Sequence, residues 1–101
     1  MPIEVRDVPG RSRYEATVDG VLAGFAAYRD QGDTRVFTHT EVLDDYEGRG
    51  VGSELAAAAL DDVRAAGRSV VPRCPFIRGW IDRHPDYADL VVTGPGSHRP
   101  G

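Results

Sequence analysis

The stretch Glu47-Gly48-Arg49-Gly50-Val51-Gly52-Ser53 decides how this chain is read. It lies between a segment of two-residue periodicity and a segment of helical periodicity, so it turns a strand into a helix. Three alternate glycines let the backbone bend tightly and present successive N–H groups, and a helix N-terminus adds about half a positive charge. Such a turn suits a phosphate or a pyrophosphate. A P-loop is excluded, because the spacing differs and the chain contains no lysine. A dinucleotide-binding Rossmann turn is disfavoured too, since the third glycine comes one position early and no acidic residue closes a second strand about twenty positions on. The bare alternative is a glycine-rich turn that binds nothing.

Upstream of the turn the chain reads as an antiparallel meander. Tyr14, Ala16 and Val18 alternate with Glu15 and Thr17, Asp19-Gly20 is a preferred pair for a type I′ hairpin, and Val21 to Tyr28 continues as a second strand. After the turn signal Asp30-Gln31-Gly32-Asp33, Thr34 to Val42 forms a third strand rich in β-branched and aromatic residues. Strict alternation puts Phe37, His39 and Glu41 on one of its faces and Val36, Thr38, Thr40 and Val42 on the other. Ile3 to Arg6 adds a short edge strand.

Downstream the period becomes helical. Val51, Leu55, Ala59 and Val63 recur every four residues, Ala56 and Leu60 widen the stripe, and Gly67 ends the helix beside Arg64 and Arg68. A short strand, Ser69 to Val71, precedes a second helix that starts at Pro75, runs through Trp80 to about Arg83 and stops at His84-Pro85. Five of the nineteen Gly and Pro residues fall in Thr93 to Gly101, which predicts a disordered tail after one domain spanning residues 1–92.

Composition narrows the function. The chain has 101 residues, a net charge of -4 and a single cysteine, Cys74, so disulfides do not hold its fold. All twelve basic residues are arginine, which excludes a lysine nucleophile or Schiff base. The acidic balance argues against nucleic acid as a partner. The start carries no signal-peptide pattern and no apolar run nears the ~20 residues of a membrane span, which predicts a soluble, cytoplasmic protein.

Four ordered motifs then carry a family resemblance: the glycine turn, His39-Thr40-Glu41-Val42 before it, and Pro72-Arg73-Cys74-Pro75-Phe76 and His84-Pro85-Asp86-Tyr87 after it. Over residues 3–92 they resemble the minimal, single-module branch of the GNAT N-acetyltransferase superfamily. The pyrophosphate loop of that superfamily reads Arg or Gln, two residues, Gly, one residue, then Gly or Ala. Glu47 holds the first position here, and Gly50 and Gly52 hold the last two. The resemblance implies a truncated version of that fold: α/β (α+β), with a mixed, mainly antiparallel sheet, two helices, and two strands splayed at an acetyl-CoA site. It also implies that the backbone of Thr40 to Val42 pairs with the pantetheine arm, and that N–H groups of Gly48, Arg49, Gly50, Val51, Gly52 and Ser53 hold the pyrophosphate. The Glu47 departure bears on a side-chain contact to phosphate, whereas the backbone donors do not depend on it.

Acetyl transfer to an amine needs a base for the acceptor, donors for the tetrahedral oxyanion and an acid for the leaving thiolate. His39 and Glu41, on one strand face beside the implied acetyl position, are the candidate bases. Cys74 precedes Pro75 at a helix N-cap, where the helix end and Arg73 favour a thiolate, and it is the candidate nucleophile of a two-step covalent route. Its bland reading is a buried small residue. Trp80 falls roughly where related enzymes use a tyrosine acid, and an indole does not serve as one. Tyr87 is a weaker candidate that reads equally as a packed corner, and Phe76 and Trp80 read as core aromatics. Cys74, His39 and His84 lack the spacing of a metal site, so no metal is expected. The partners implied are acetyl-CoA and an amine acceptor such as a protein or peptide, with the chain a monomer or homodimer. The alternative is a module that binds CoA or a partner without catalysis.

Overall fold

The alternation of Tyr14, Ala16 and Val18 with half-buried neighbours becomes a strand with one fully buried face, and the rest of the sheet is built out from it. Residues 2–92 are described in a computed structural model, and the tail expected at residues 93–101 lies outside the described residues. Five strands stand in sequence order, β1 (Ile3–Val8), β2 (Arg13–Val18), β3 (Val21–Gln31), β4 (Thr34–Val42) and β5 (Ser69–Pro72). Helix α1 (Val51–Ala65) joins β4 to β5, and α2 (Pro75–Arg83) follows β5. The first four strands are antiparallel, with Asp19 and Gly20 both at positive φ as a type I′ turn requires. Because α1 is a crossover, β5 returns parallel to β4.

Both helices lay their apolar stripes into one core. Val51, Leu55, Ala56, Ala59, Leu60 and Val63 of α1 and Ile77, Trp80 and Ile81 of α2 join Tyr14, Ala16, Ala26, Tyr28 and Phe37 of the sheet. Each fully buried leucine or valine contributes about 1.5 to 3 kcal/mol, and the alanines let α1 approach the sheet closely.

Among the described residues one charged side chain is buried. Arg35 is 6% exposed, donates two hydrogen bonds to Asp30 at 2.8 and 2.9 Å and a third to Tyr14 Oη at 2.7 Å, and lies 3.9 Å over the Tyr28 ring. Tyr14 and Tyr28 in turn donate to Asp62 and Asp7, tying β1, β2, β3 and α1 to one guanidinium. Hydrogen bonding to Arg35 holds the Asp30 carboxyl below the usual carboxylate range, and burial pushes Tyr14 up and Tyr28 up to about 12.

The expected faces of β4 require a correction. Ala27 pairs with His39 and Tyr28 with Phe37, so Thr38 is an extra residue in β4, a β-bulge that reverses the alternation. Phe37 therefore points into the core with Tyr14 and Tyr28, while His39 and Glu41 keep a common face on the opposite side of the sheet. The same bulge marks a parting of strands. Pairing between β4 and β5 runs from Thr34↔Ser69 to Phe37↔Pro72, and β4 then continues to Val42 with β3 as its ladder partner.

Candidate functional site

The glycine turn folds as its composition dictates, with each glycine serving a separate need. Gly48 and Gly50 sit at φ +79° and +83°, a region L side chains rarely adopt. Gly52 has ordinary dihedrals, and its need is space: a Cβ there would meet Phe76 Cζ at 2.8 Å. Gly50 is the N-cap of α1, and the first intrahelical bond runs from Glu54 N–H to Gly50 O at 3.0 Å. The N–H groups of Val51, Gly52 and Ser53 stand ahead of that bond at the positive end of the helix. They face a groove of about 290 Å³ lined by Val42, Tyr46, Gly48, Gly50, Ser53 and Phe76, among others.

Phe76 was expected in the core and is instead 38% exposed, with its ring across Gly52 on the wall of that groove. The position of Phe76 at the second residue of α2 carries it out of the buried stripe formed by Ile77, Trp80 and Ile81. Tyr46, from the short 3₁₀ turn Asp44–Tyr46, also lines the groove, with the Arg49 guanidinium 5.8 Å from its ring centre. Neither aromatic reads as a groove residue from the sequence alone. The only signal was that both flank the glycine motif or the Cys74-Pro75 corner.

Beyond the groove lies the gap where β5 leaves β4. Among the described residues, the β4 edge from Thr38 to Val42 has no β5 ladder partner, so alternate N–H and C=O groups of this edge are oriented to pair with an extended amide chain. Thr40 and Val42 are half-buried on this strand. Cys74 occupies the N-cap of α2 as expected, with Pro75 at the first helical position, and its own N–H reaches back to Phe37 O at 3.0 Å. The thiol makes no side-chain cap. It is 3% exposed and hydrogen-bonds across the gap to Thr40 Oγ1 at 3.2 Å.

His39 and Glu41 are brought together, with Nε2 3.3 Å from Oε1 and both side chains more than half exposed. His39 also packs against Phe25, ring centres 6.0 Å apart. This pair opens on the face of the sheet opposite to the Thr40 hydroxyl, so the candidate bases and the candidate nucleophile border the gap from two sides. The next residues form an acidic depression of about 710 Å³ whose lining includes Glu41, Asp44, Asp45 and Glu47.

The remaining aromatic candidates have structural partners. Trp80 is 4% exposed, donates from Nε1 to Ser53 Oγ at 3.1 Å and stacks on His84 at 3.8 Å. Tyr87 donates to Asp61 at 2.7 Å, a bond that raises its pKa. Asp61 lies eight residues beyond Ser53, about 12 Å along α1, so the corner reading of Tyr87 fits its position. Among the described residues no group of three His, Cys, Asp or Glu is placed to hold a metal ion. No helix among them is long and apolar enough to cross a membrane.

A family model described as GCN5-related N-acetyl-transferase matches residues 13–90, which span β2 to β5, the glycine turn and both helices. The chain belongs to that family. Its fold is similar to the solution structure of a GCN5-like protein from Staphylococcus aureus, with a TM-score of 0.68 at 19% identity over 97% of this chain and 96% of that one. It is also similar to a ribosomal-protein-alanine N-acetyltransferase from Brucella melitensis, with a TM-score of 0.58 and 23% identity over 88% of this chain and 67% of the other. Ard1 from Thermoplasma volcanium aligns at a TM-score of 0.54 and 27% identity, over 60% of this chain and 43% of that one. No curated protein matches the chain in sequence. In this chain the fold carries the glycine turn, the parting of β4 from β5, and α2 after it. Chemically, this arrangement offers backbone donors for an anion, a strand edge for amides, a thiol inside the gap and an exposed His39–Glu41 pair beside it.

Proposed function

We propose that this GCN5-related protein binds acetyl-CoA along the groove and the open β4 edge, and transfers the acetyl group to an amine. Family membership supports acetyl transfer in general. One observation carries the finer reading: the N–H groups of Val51, Gly52 and Ser53 open onto a groove whose lining runs to Val42, at the end of the unpaired β4 edge. A pyrophosphate at the helix end leaves an amide-bearing arm continuous with that edge, and the thioester then reaches Thr40 and Cys74. The fit is one of donors, since the turn offers N–H groups where a pyrophosphate needs them.

In the covalent form of this reading, the Cys74 thiolate attacks the acetyl carbonyl, the carbonyl–sulfur bond to the coenzyme breaks, and the coenzyme leaves as its thiolate. The acceptor amine then attacks the acetyl group on Cys74, restoring the thiolate, while the amine proton passes to His39 or Glu41 directly or through water. Exchange of one thioester for another is nearly balanced in free energy, so the second step draws on the stability of the amide. The depression at the end of β4 that Glu41, Asp44, Asp45 and Glu47 help to line supports a cationic acceptor, because carboxylates concentrate protonated amines near that end of the strand.

The test is acceptor-dependent release of free CoA thiol across a panel of simple amines, polyamines and basic peptides. Release that saturates with one acceptor class is the expected result. Tight binding of acetyl-CoA with no release on any acceptor identifies a non-catalytic CoA-binding module.

A further inference from the structure

We infer that Trp80 is a positioning residue for the anion-binding turn, holding the Ser53 hydroxyl so that its proton is directed at the bound anion. The inference rests on the reading that the turn takes the pyrophosphate of acetyl-CoA.

An indole N–H only donates, so in the 3.1 Å contact between Trp80 Nε1 and Ser53 Oγ the serine is the acceptor. A hydroxyl has a single proton, and with one lone pair engaged by Trp80 that proton must point elsewhere. Ser53 is the third residue of α1, so its side chain stands on the same first turn as the N–H groups of Val51 and Gly52. It borders two depressions. One is the 290 Å³ groove with Val42 and Phe76, and the other, of about 360 Å³, is lined by Ile3, Arg49, Glu54, Ala57, Trp80 and His84 besides Gly50 and Ser53. The Ser53 hydroxyl is therefore on the ridge over which an anion at the helix end lies.

The indole is itself held rigidly. Trp80 is 4% exposed, its ring is stacked on the His84 imidazole at 3.8 Å with planes 12° apart, and Tyr87 packs against it at 5.1 Å. His84 Nδ1 lies 2.7 Å from Trp80 O, and a carbonyl only accepts, so Nδ1 carries the proton and the imidazole is fixed to the turn of helix that bears the tryptophan. Thus the end of α2 and the 3₁₀ turn that follows clamp an indole whose polar atom reaches the first turn of α1, twenty-seven residues away in sequence. A phenylalanine would keep an aromatic ring at this position, a smaller one, and would lack the N–H. The N–H is what tryptophan adds.

The experiment is a double-mutant cycle read by calorimetric titration with acetyl-CoA. Trp80→Phe and Ser53→Ala are each expected to weaken binding about tenfold, the size of one hydrogen bond to a charged group, and Trp80→Phe/Ser53→Ala is expected to be no weaker than either single variant. Losses that multiply in the double variant, or a Ser53→Ala protein with wild-type affinity, overturn the inference while leaving acetyl-CoA binding intact. A wild-type protein that fails to bind acetyl-CoA overturns the underlying reading and the inference with it. Should Trp80→Phe not fold, the emission of the one tryptophan decides: acetyl-CoA should shift it in the wild type and in Ser53→Thr, and a shift of equal size in Ser53→Ala overturns the inference.

Discussion

Cys74 Sγ lies 3.2 Å from Thr40 Oγ1, so the thiol that follows β5 is tied to β4 beyond the point where the two strands part. The contact crosses the gap proposed for the acetyl group. On incubation with acetyl-CoA, intact-mass analysis should find one acetyl group on the wild type, located at Cys74, and none on Cys74→Ala, with turnover in that variant reduced at least about a hundredfold. Thr40→Val preserves volume and removes the hydroxyl, and acetylation of Cys74 should slow in it and recover in Thr40→Ser. A wild type without adduct, together with unchanged turnover in Cys74→Ala, eliminates the covalent route and leaves direct transfer.

Gly52 and Phe76 form a second testable pair. A methyl group at Gly52 would lie 2.8 Å from Phe76 Cζ, so the ring must swing in Gly52→Ala. Alanine gains about 1 kcal/mol of helix propensity over glycine, which offsets the crowding and keeps the melting temperature near wild type. Acetyl-CoA affinity should nevertheless fall, and removing the ring in Gly52→Ala/Phe76→Ala should restore part of it. Equal affinity in wild type and Gly52→Ala argues that the groove is not the cofactor site.

Arg35 tests the source of stability rather than function. Arg35→Met leaves the Tyr14–Asp62 and Tyr28–Asp7 bonds without their shared cation, and should cost about 3 kcal/mol in denaturant unfolding, toward the low side for a broken buried pair because Asp30 still reaches water. A change below about 1 kcal/mol contradicts the buried-hub description.

The same cluster makes the stability of the fold depend on pH. Asp30 titrates lower in the folded chain than its unfolded value of about 3.9, so its contribution is whole above that value and is lost as acid protonates the folded carboxyl. Tyr28 titrates at about 12 when folded against about 10 when unfolded, so its contribution is whole below pH ~10 and is lost as pH rises through 12. Chemical denaturation as a function of pH should therefore show a plateau with two declining limbs. Asp30→Asn should make the acid limb shallower, and Tyr28→Phe should make the alkaline limb shallower while leaving the share of Tyr14, whose pKa is raised as well.

The repeating parts of this fold were legible in the residues, and the singular parts were not. Tyr14, Ala16 and Val18, the Asp19-Gly20 turn and the Val51–Val63 stripe each state a period, and the strand, hairpin and helix follow where expected. The Thr38 bulge states none. One unmatched residue in β4 moved Phe37 to the core, away from His39 and Glu41, because alternation is counted along one strand whereas a bulge exists only between two. The partners of Arg35 stand five to twenty-eight residues away on other elements, and the Trp80–Ser53 and Cys74–Thr40 bonds join positions twenty-seven and thirty-four apart. The motifs located the turn and the thiol, and the family resemblance implied the parted strands. The three-dimensional pairing alone identified Phe76 as a groove wall and gave the Thr40 hydroxyl its partner.

Calorimetric titration with acetyl-CoA tests the central claim most directly, with wild type, Gly50→Ala and Gly50→Asp compared. Both substitutions strain a residue at φ +83°, and the aspartate also sets a negative charge beside the N–H groups of Val51, Gly52 and Ser53. The account predicts saturable one-to-one binding to the wild type, weaker binding to Gly50→Ala and a further loss in Gly50→Asp. A wild-type protein that takes up no acetyl-CoA, or a Gly50→Asp variant that binds it as tightly as the wild type, contradicts the account.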